Sequence, residues 1–113
     1  NLRVEAVVEG KDEAREISVG LRFTDNQDTD YRIFGGGDTV ARPAVVVLDP
    51  QQRPVAAWHP SGAMGPFRES DGVLIPRNFH GKYEIWPVVN LPNMEYKTVG
   101  AQVEFKNGHY VAP

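Results

Sequence analysis

The chain has 113 residues, 41% of them hydrophobic and 24% charged, with no cysteine. This length suits a single domain, residues 1–113, able to bury roughly two-thirds of its unfolded surface without staples, and the missing cysteine excludes zinc ribbons, thiol catalysis and disulfide scaffolds. Twelve Lys and Arg against fifteen Asp and Glu leave a net charge of −3, which speaks against nucleic acid as a partner, because phosphate contacts dominate that affinity.

Eleven Gly and nine Pro fall between short apolar runs, the punctuation of many short elements joined by turns. No apolar stretch nears the roughly 18 residues of a membrane span. The chain opens on Asn1, with no charged segment leading into an apolar one, so the expectation is a removed leader or a piece of a longer protein.

Taken in chain order, the dominant signal has a period of two, which places alternate side chains on opposite faces of a strand. Leu2, Val4, Ala6 and Val8 oppose Arg3, Glu5 and Glu9, and Ile17, Val19, Leu21 and Phe23 oppose Glu16, Ser18, Gly20 and Arg22. The polar stretch from Gly10 to Arg15 between them reads as a hairpin loop. The run from Thr24 to Asp30 is built of turn formers, and Tyr31 and Ile33 mark a short strand ended by Gly35, Gly36 and Gly37. After Pro43, the unalternating run Ala44 to Leu48 predicts an interior strand covered on both faces, or one that changes sheets. Turn residues Asp49 to Pro54 join it to Val55–Trp58 as a hairpin.

Residues 60–72 form a long loop rich in Gly, Pro and Ser, a feature common at functional positions. Val73–Ile75 predicts a short strand. From Gly81 to Asn90, Tyr83, Ile85, Pro87 and Val89 share one face, and Pro87, which has no donor for a ladder, predicts an edge strand or a bulge. The last long strand alternates Val99, Ala101, Val103 and Phe105 against Thr98, Gly100, Gln102 and Glu104. Asn107-Gly108 then signals a type I′ turn back into His109-Tyr110-Val111. About seven or eight strands without a long amphipathic helix predict an all-β, antiparallel sandwich, with a small barrel as the alternative.

The residues Ile17 to Asn26, then Val47-Leu48-Asp49 with Arg53-Pro54-Val55, and Gly81-Lys82-Tyr83-Glu84-Ile85 follow a definite rhythm. It is a strand closing on a polar turn, an Asp-x-x-x-x-Pro-Val hairpin and a late Gly-x-Tyr strand. This resembles bacterial immunoglobulin-like sandwiches across most of the chain. The resemblance implies the sandwich and no particular activity, since the Cys-Trp-Cys signature of antibody domains is absent. An extracytoplasmic place is the expectation that goes with it.

The chemistry-bearing residues point to binding rather than catalysis. Gly35-Gly36-Gly37-Asp38-Thr39 lacks the Lys and the following helix of a phosphate loop. None of Ser18, Ser61 and Ser70 stands in Gly-x-Ser-x-Gly. Asp25, Asp28 and Asp30, with Asp38, form a carboxylate cluster whose oxygens suit calcium, although its spacing is not that of an EF-hand. His59, His80 and His109 stand apart and would make a metal site only by converging in space.

The aromatics are the strongest candidates. If Tyr83 and Ile85 face the core, Trp86 faces outward on its strand, whereas a one-residue slip at Pro87 would turn it inside, and either Trp58 or Trp86 could be the core tryptophan of the sandwich. Trp58 ends another strand beside His59, with Met64 and Phe67 in the long loop. The leading expectation is therefore a non-catalytic module binding a partner protein or ligand through Trp58, His59, Met64, Phe67 and Trp86. A carbohydrate-binding module using the same aromatics is the second expectation. A small metal-dependent enzyme is the third.

Overall fold

Both long period-two runs become strands. β1 (Leu2–Glu9) and β2 (Glu16–Thr24) pair antiparallel from Arg3↔Thr24 to Glu9↔Ser18. The structure, a computed structural model, describes residues 2–24, 30–31, 44–58, 72–89 and 95–113. The remaining described strands are β3 (Asp30–Tyr31), β4 (Ala44–Leu48), β5 (Pro54–Trp58), β6 (Gly72–Leu74), β7 (Gly81–Val88), β8 (Tyr96–Val99), β9 (Ala101–Lys106) and β10 (His109–Val111).

They form two sheets. The first has the order β3-β2-β1-β8, with β6 also on β2, and the second has the order β10-β9-β7-β4-β5. Leu2, Val4, Ala6, Ile17, Val19, Leu21 and Phe23 from the first sheet are buried together with Val45, Val47, Tyr83, Ile85, Val103, Phe105 and Tyr110 from the second. The fold is thus an all-β sandwich of mostly antiparallel sheets, and the barrel alternative falls because the sheets do not close on each other. No described helix is long and apolar enough to cross a membrane.

Aromatic rings fill part of the core. Phe79 stacks on Tyr83 at 4.6 Å, Phe105 lies 5.2 Å from Tyr83 in an edge arrangement, and Trp58 reaches to 6.5 Å from Phe79. Edge-to-face and offset pairs of this kind add to what area burial alone contributes.

Three expectations are corrected. The last long strand is two strands: β8 pairs with β1 in the first sheet, in parallel, and after Gly100 the chain enters the second sheet as β9. Part of the higher strand count comes from this division. The strand that changes sheets is therefore this one, and the apolar run Ala44–Leu48 stays in one sheet between β5 and β7, with alternately buried and half-buried residues.

Third, Pro87 does not mark an edge strand. β7 is the middle strand of its sheet, but its ladder with β9 ends at Ile85↔Ala101, two residues before Pro87. On that side nothing in the ladder requires the N–H that proline lacks, while on the other side Pro87 pairs with Val45.

The two ends of the sandwich differ in their connections. Leu2, Thr24 and Tyr96 of the first sheet lie at the same end as Ala44, Trp58 and Val88 of the second. The Tyr96 hydroxyl donates to the Val89 carbonyl at 3.0 Å, tying the sheets there. At the opposite, lower end the connections are short and bonded to one another. Ile75 N–H donates to Arg15 O, Gly108 N–H to Phe79 O and Tyr110 N–H to Ala14 O, each at 2.8 Å.

Candidate functional site

The register of the second sheet sorts its side chains by face, because directly paired residues share one. Trp58, Val45 and Pro87 form one row and Ala57, Val46 and Trp86 the next. Val45 is fully buried, so the Trp58 row faces the core and the Trp86 row faces outward. The two tryptophans expected to share a binding surface therefore lie on opposite faces of one sheet. Trp58 packs half-buried against the core, and Trp86 alone belongs to the outside.

Trp86 is half-buried rather than exposed. Its indole lies over Gly100, where a Cβ would stand 2.5 Å from the ring carbon Cε2. Glycine is required at this position because the backbone changes sheets directly beneath the ring. The indole Nε1 donates to Glu84 Oε1 at 2.9 Å, and the other Glu84 oxygen accepts from Gln52 Nε2 at 3.3 Å. The ring is thereby fixed, with its polar atom satisfied.

Around Trp86 the outer face is apolar. The pairs Ala44↔Val88, Val46↔Trp86 and Val46↔Ala57 set Ala44, Val46, Ala57, Trp86 and Val88 side by side, with Val88 51% exposed and Ala57 exposed. Leu48 extends the group toward Glu84, and below that level Lys82 pairs with Glu104 and Glu84 with Gln102. Outward apolar residues in adjacent rows at one end of a sheet, bordered by polar rows, have the layout of an interaction patch.

The outer face of the first sheet is built differently. Glu5 pairs across with Arg22, and its carboxylate lies 3.4 Å from Arg3 and 3.9 Å from Arg22. Lys97 stands opposite Arg3 on β8. Around Glu5 this surface is solvated and of mixed charge, and further along the same face Val99 stands opposite Glu5 and Leu74, 61% exposed, stands opposite Glu16.

The remaining sequence candidates fall in several places. His80 and His109 both sit at the β9–β10 hairpin, on the backbone of Asn107. His80 Nδ1 accepts from Asn107 N–H at 3.2 Å, and His109 Nδ1 lies 3.0 Å from Asn107 O. Among the described residues, no three of His, Cys, Asp and Glu are grouped to hold a metal ion. Asp25, Asp28, Asp38, His59, Met64 and Phe67 lie outside the described residues, and for Asp30 only the backbone, in β3, is described.

One carboxylate that reads in the sequence as simple turn chemistry is buried. Asp49, 5% exposed, accepts from the N–H groups of Gln51 and Arg53 and from Arg53 Nε, each at 2.9 Å. Burial pushes its carboxyl up, but the backbone and side-chain bonds from Arg53, the N–H of Gln51 and the guanidinium charge together hold it below its ordinary value of 3.8. It closes the β4–β5 turn, and Gln52 takes a left-handed φ of 66° within that turn. With every one of these bonds made inside the turn, its role is structural.

The sequence signal that could have located the patch was the unalternating run Ala44–Leu48. A strand apolar at every position, in a sheet covered on one side only, must show apolar residues to the outside. No family model, no curated protein and no solved structure matches the chain.

Proposed function

We propose that the chain is a non-catalytic, immunoglobulin-like module that binds a partner protein through the apolar patch around Trp86. The observation that carries this is the outer face of the second sheet, where apolar residues stand in adjacent rows around a fixed indole, against the ion-paired group around Glu5 on the outer face of the first. Both face outward on the same fold, so secondary structure alone does not explain the difference. A fixed indole with half-buried aliphatic neighbours matches the composition of interface centres, where aromatics are enriched and charges depleted.

The strand order supports the immunoglobulin-like reading. β9-β7-β4-β5 facing β1-β2-β6 corresponds to strands G, F, C and C′ facing A, B and E of that fold. An extracytoplasmic place, within a larger protein, belongs to the same proposal. The outward faces of G, F, C and C′ are then the binding face, and Trp86 sits on F.

The test is photo-cross-linking in the host cell with p-benzoylphenylalanine placed at position 88, 57 or 104. Protein adducts at 88 and 57 but not at 104, lost when Trp86→Ala is added without a change in fold, are the expected result. Equal adducts at all three positions, or none at 88 and 57, would remove the proposal. Trp86 also stands beside Glu84 and near Gln102, groups that hydrogen-bond sugar hydroxyls, so a carbohydrate is the second reading. Glycan-array binding that disappears in Trp86→Ala, with no protein adduct, would put it first.

A further inference from the structure

Asn107-Gly108 is the sole Asn-Gly pair in the sequence. It is the pair most prone to spontaneous deamidation, because glycine leaves the following amide nitrogen sterically open. In that reaction Gly108 N loses its proton and bonds to Asn107 Cγ, ammonia leaves, and water then opens the cyclic imide at one of its two carbonyls. The net change is amide plus water to carboxylic acid plus ammonia. The product at this position is an ordinary aspartyl residue, or an isoaspartyl linkage in which the main chain runs through the side-chain carbon.

The fold holds the attacking nitrogen away from this path. Asn107 and Gly108 are the two central residues of the hairpin turn, with φ of 50° and 78°, the type I′ geometry. Asn107 is exposed, but Gly108 is buried. The Gly108 N–H, whose nitrogen would be the nucleophile, donates to Phe79 O at 2.8 Å. The Gly108 carbonyl accepts from Arg15 Nη1 at 2.9 Å, and Asn107 N–H donates to His80 Nδ1 at 3.2 Å. Base cannot reach an N–H aimed at a carbonyl in the interior, and cyclisation needs a peptide rotation that these bonds oppose.

We infer that Asn107 is a modification site gated by the lower end of the sandwich: closed, the end suppresses deamidation, and opening of the Arg15–Gly108–Phe79 contacts releases it. The consequence is one-way. An isoaspartyl residue adds a main-chain atom to a two-residue turn that has no room for it. β10 is held by Tyr110 N–H to Ala14 O and by Glu13 N–H to Tyr110 O, and it loses its register with β9. Each opening that ends in the isoaspartyl product therefore prevents reclosure, and because neither product reverts to asparagine, the modified fraction records how often the lower end has opened. This inference is independent of what the Trp86 patch binds.

The experiment incubates the full chain in mildly alkaline buffer and follows the amide-to-acid mass change at Asn107 by peptide mapping, beside a free peptide of residues 104–111. The folded chain is expected to react at least about tenfold more slowly than the peptide, and Arg15→Met, which keeps the stem but drops the charged donor, to react about tenfold faster than wild type. Urea below the unfolding transition provides the second measurement, raising the wild-type rate at Asn107 even if the variant is poorly folded. A folded chain reacting as fast as the peptide, a rate unmoved by both Arg15→Met and urea, or modification at other asparagines ahead of Asn107 would overturn the inference.

Discussion

The outward faces of β1-β2 and of β4-β7 occupy equivalent places, each on the far side of its sheet from the shared core. On the first, Arg3, Glu5 and Arg22 form a chain of ion pairs with exposed ends. On the second, Val46, Trp86, Ala57 and Val88 stand in adjacent rows, with charge confined to the lower rows of Lys82, Glu84 and Glu104. A sheet packed on one side settles its inward residues and leaves the outward ones free to suit water or a partner.

The two faces of β4 should respond very differently to the same charge placed on adjacent residues. Val45→Asp buries a carboxylate at a fully buried site and should cost about 4 kcal/mol or more, whereas Val46→Asp on the outer face should cost about 1 kcal/mol. Urea denaturation of both variants measures this, and comparable losses would mean that the outer face is packed as a core.

Next in size is Gly100→Ala. Its Cβ needs the space of the indole above it, so Trp86 must move and give up its bond to Glu84, at about 1–2 kcal/mol. In Trp86→Ala the same glycine substitution should cost much less. The double-mutant cycle should therefore show strong coupling, and additive effects would remove Trp86 from the crossing.

The buried carboxylate at the β4–β5 turn gives a smaller, pH-dependent effect. The folded pKa of Asp49 is depressed, so its contribution is present above the ordinary carboxylate value of 3.8 and is lost as pH falls below it. Asp49→Asn should lower Tm at neutral pH, and calorimetry across acid pH should find the gap closing below about pH 4. A gap independent of pH would mean that the charge is not what matters there.

Smallest is the charged face itself. Glu5→Gln should change stability by about 0.5 kcal/mol or less, and less still in high salt, as exposed ion pairs do. A larger, salt-independent loss in chemical denaturation would show that this face too is more than solvated surface.

Much of the fold is legible in the sequence. Leu2 to Val8 and Ile17 to Phe23 alternate so regularly that strand, face and hairpin follow from period two, and Asn107-Gly108 names its own turn, because few residues other than Asn and Gly adopt left-handed backbone cheaply. The site is legible only in part. Alternation leaves Trp86 outward in one register and inward in the next, and only the pairing of Val45 with Pro87 and of Val46 with Trp86 decides for the outward face. The partnership of Trp86 with Trp58 fails because the face of Trp58 depends on which β4 residue it meets across the ladder.

Local pattern thus determined the sheet content, the inner faces and the principal turns, since alternation and turn chemistry act between residues close in sequence. Only the tertiary structure decided that Pro87 lies in a middle strand, that the chain changes sheets at Gly100, and that an indole covers that crossing. Each of these depends on where a distant strand begins or stops pairing. A proline is tolerated where the neighbouring ladder has ended, and a glycine is required where a ring from another strand lies against the backbone.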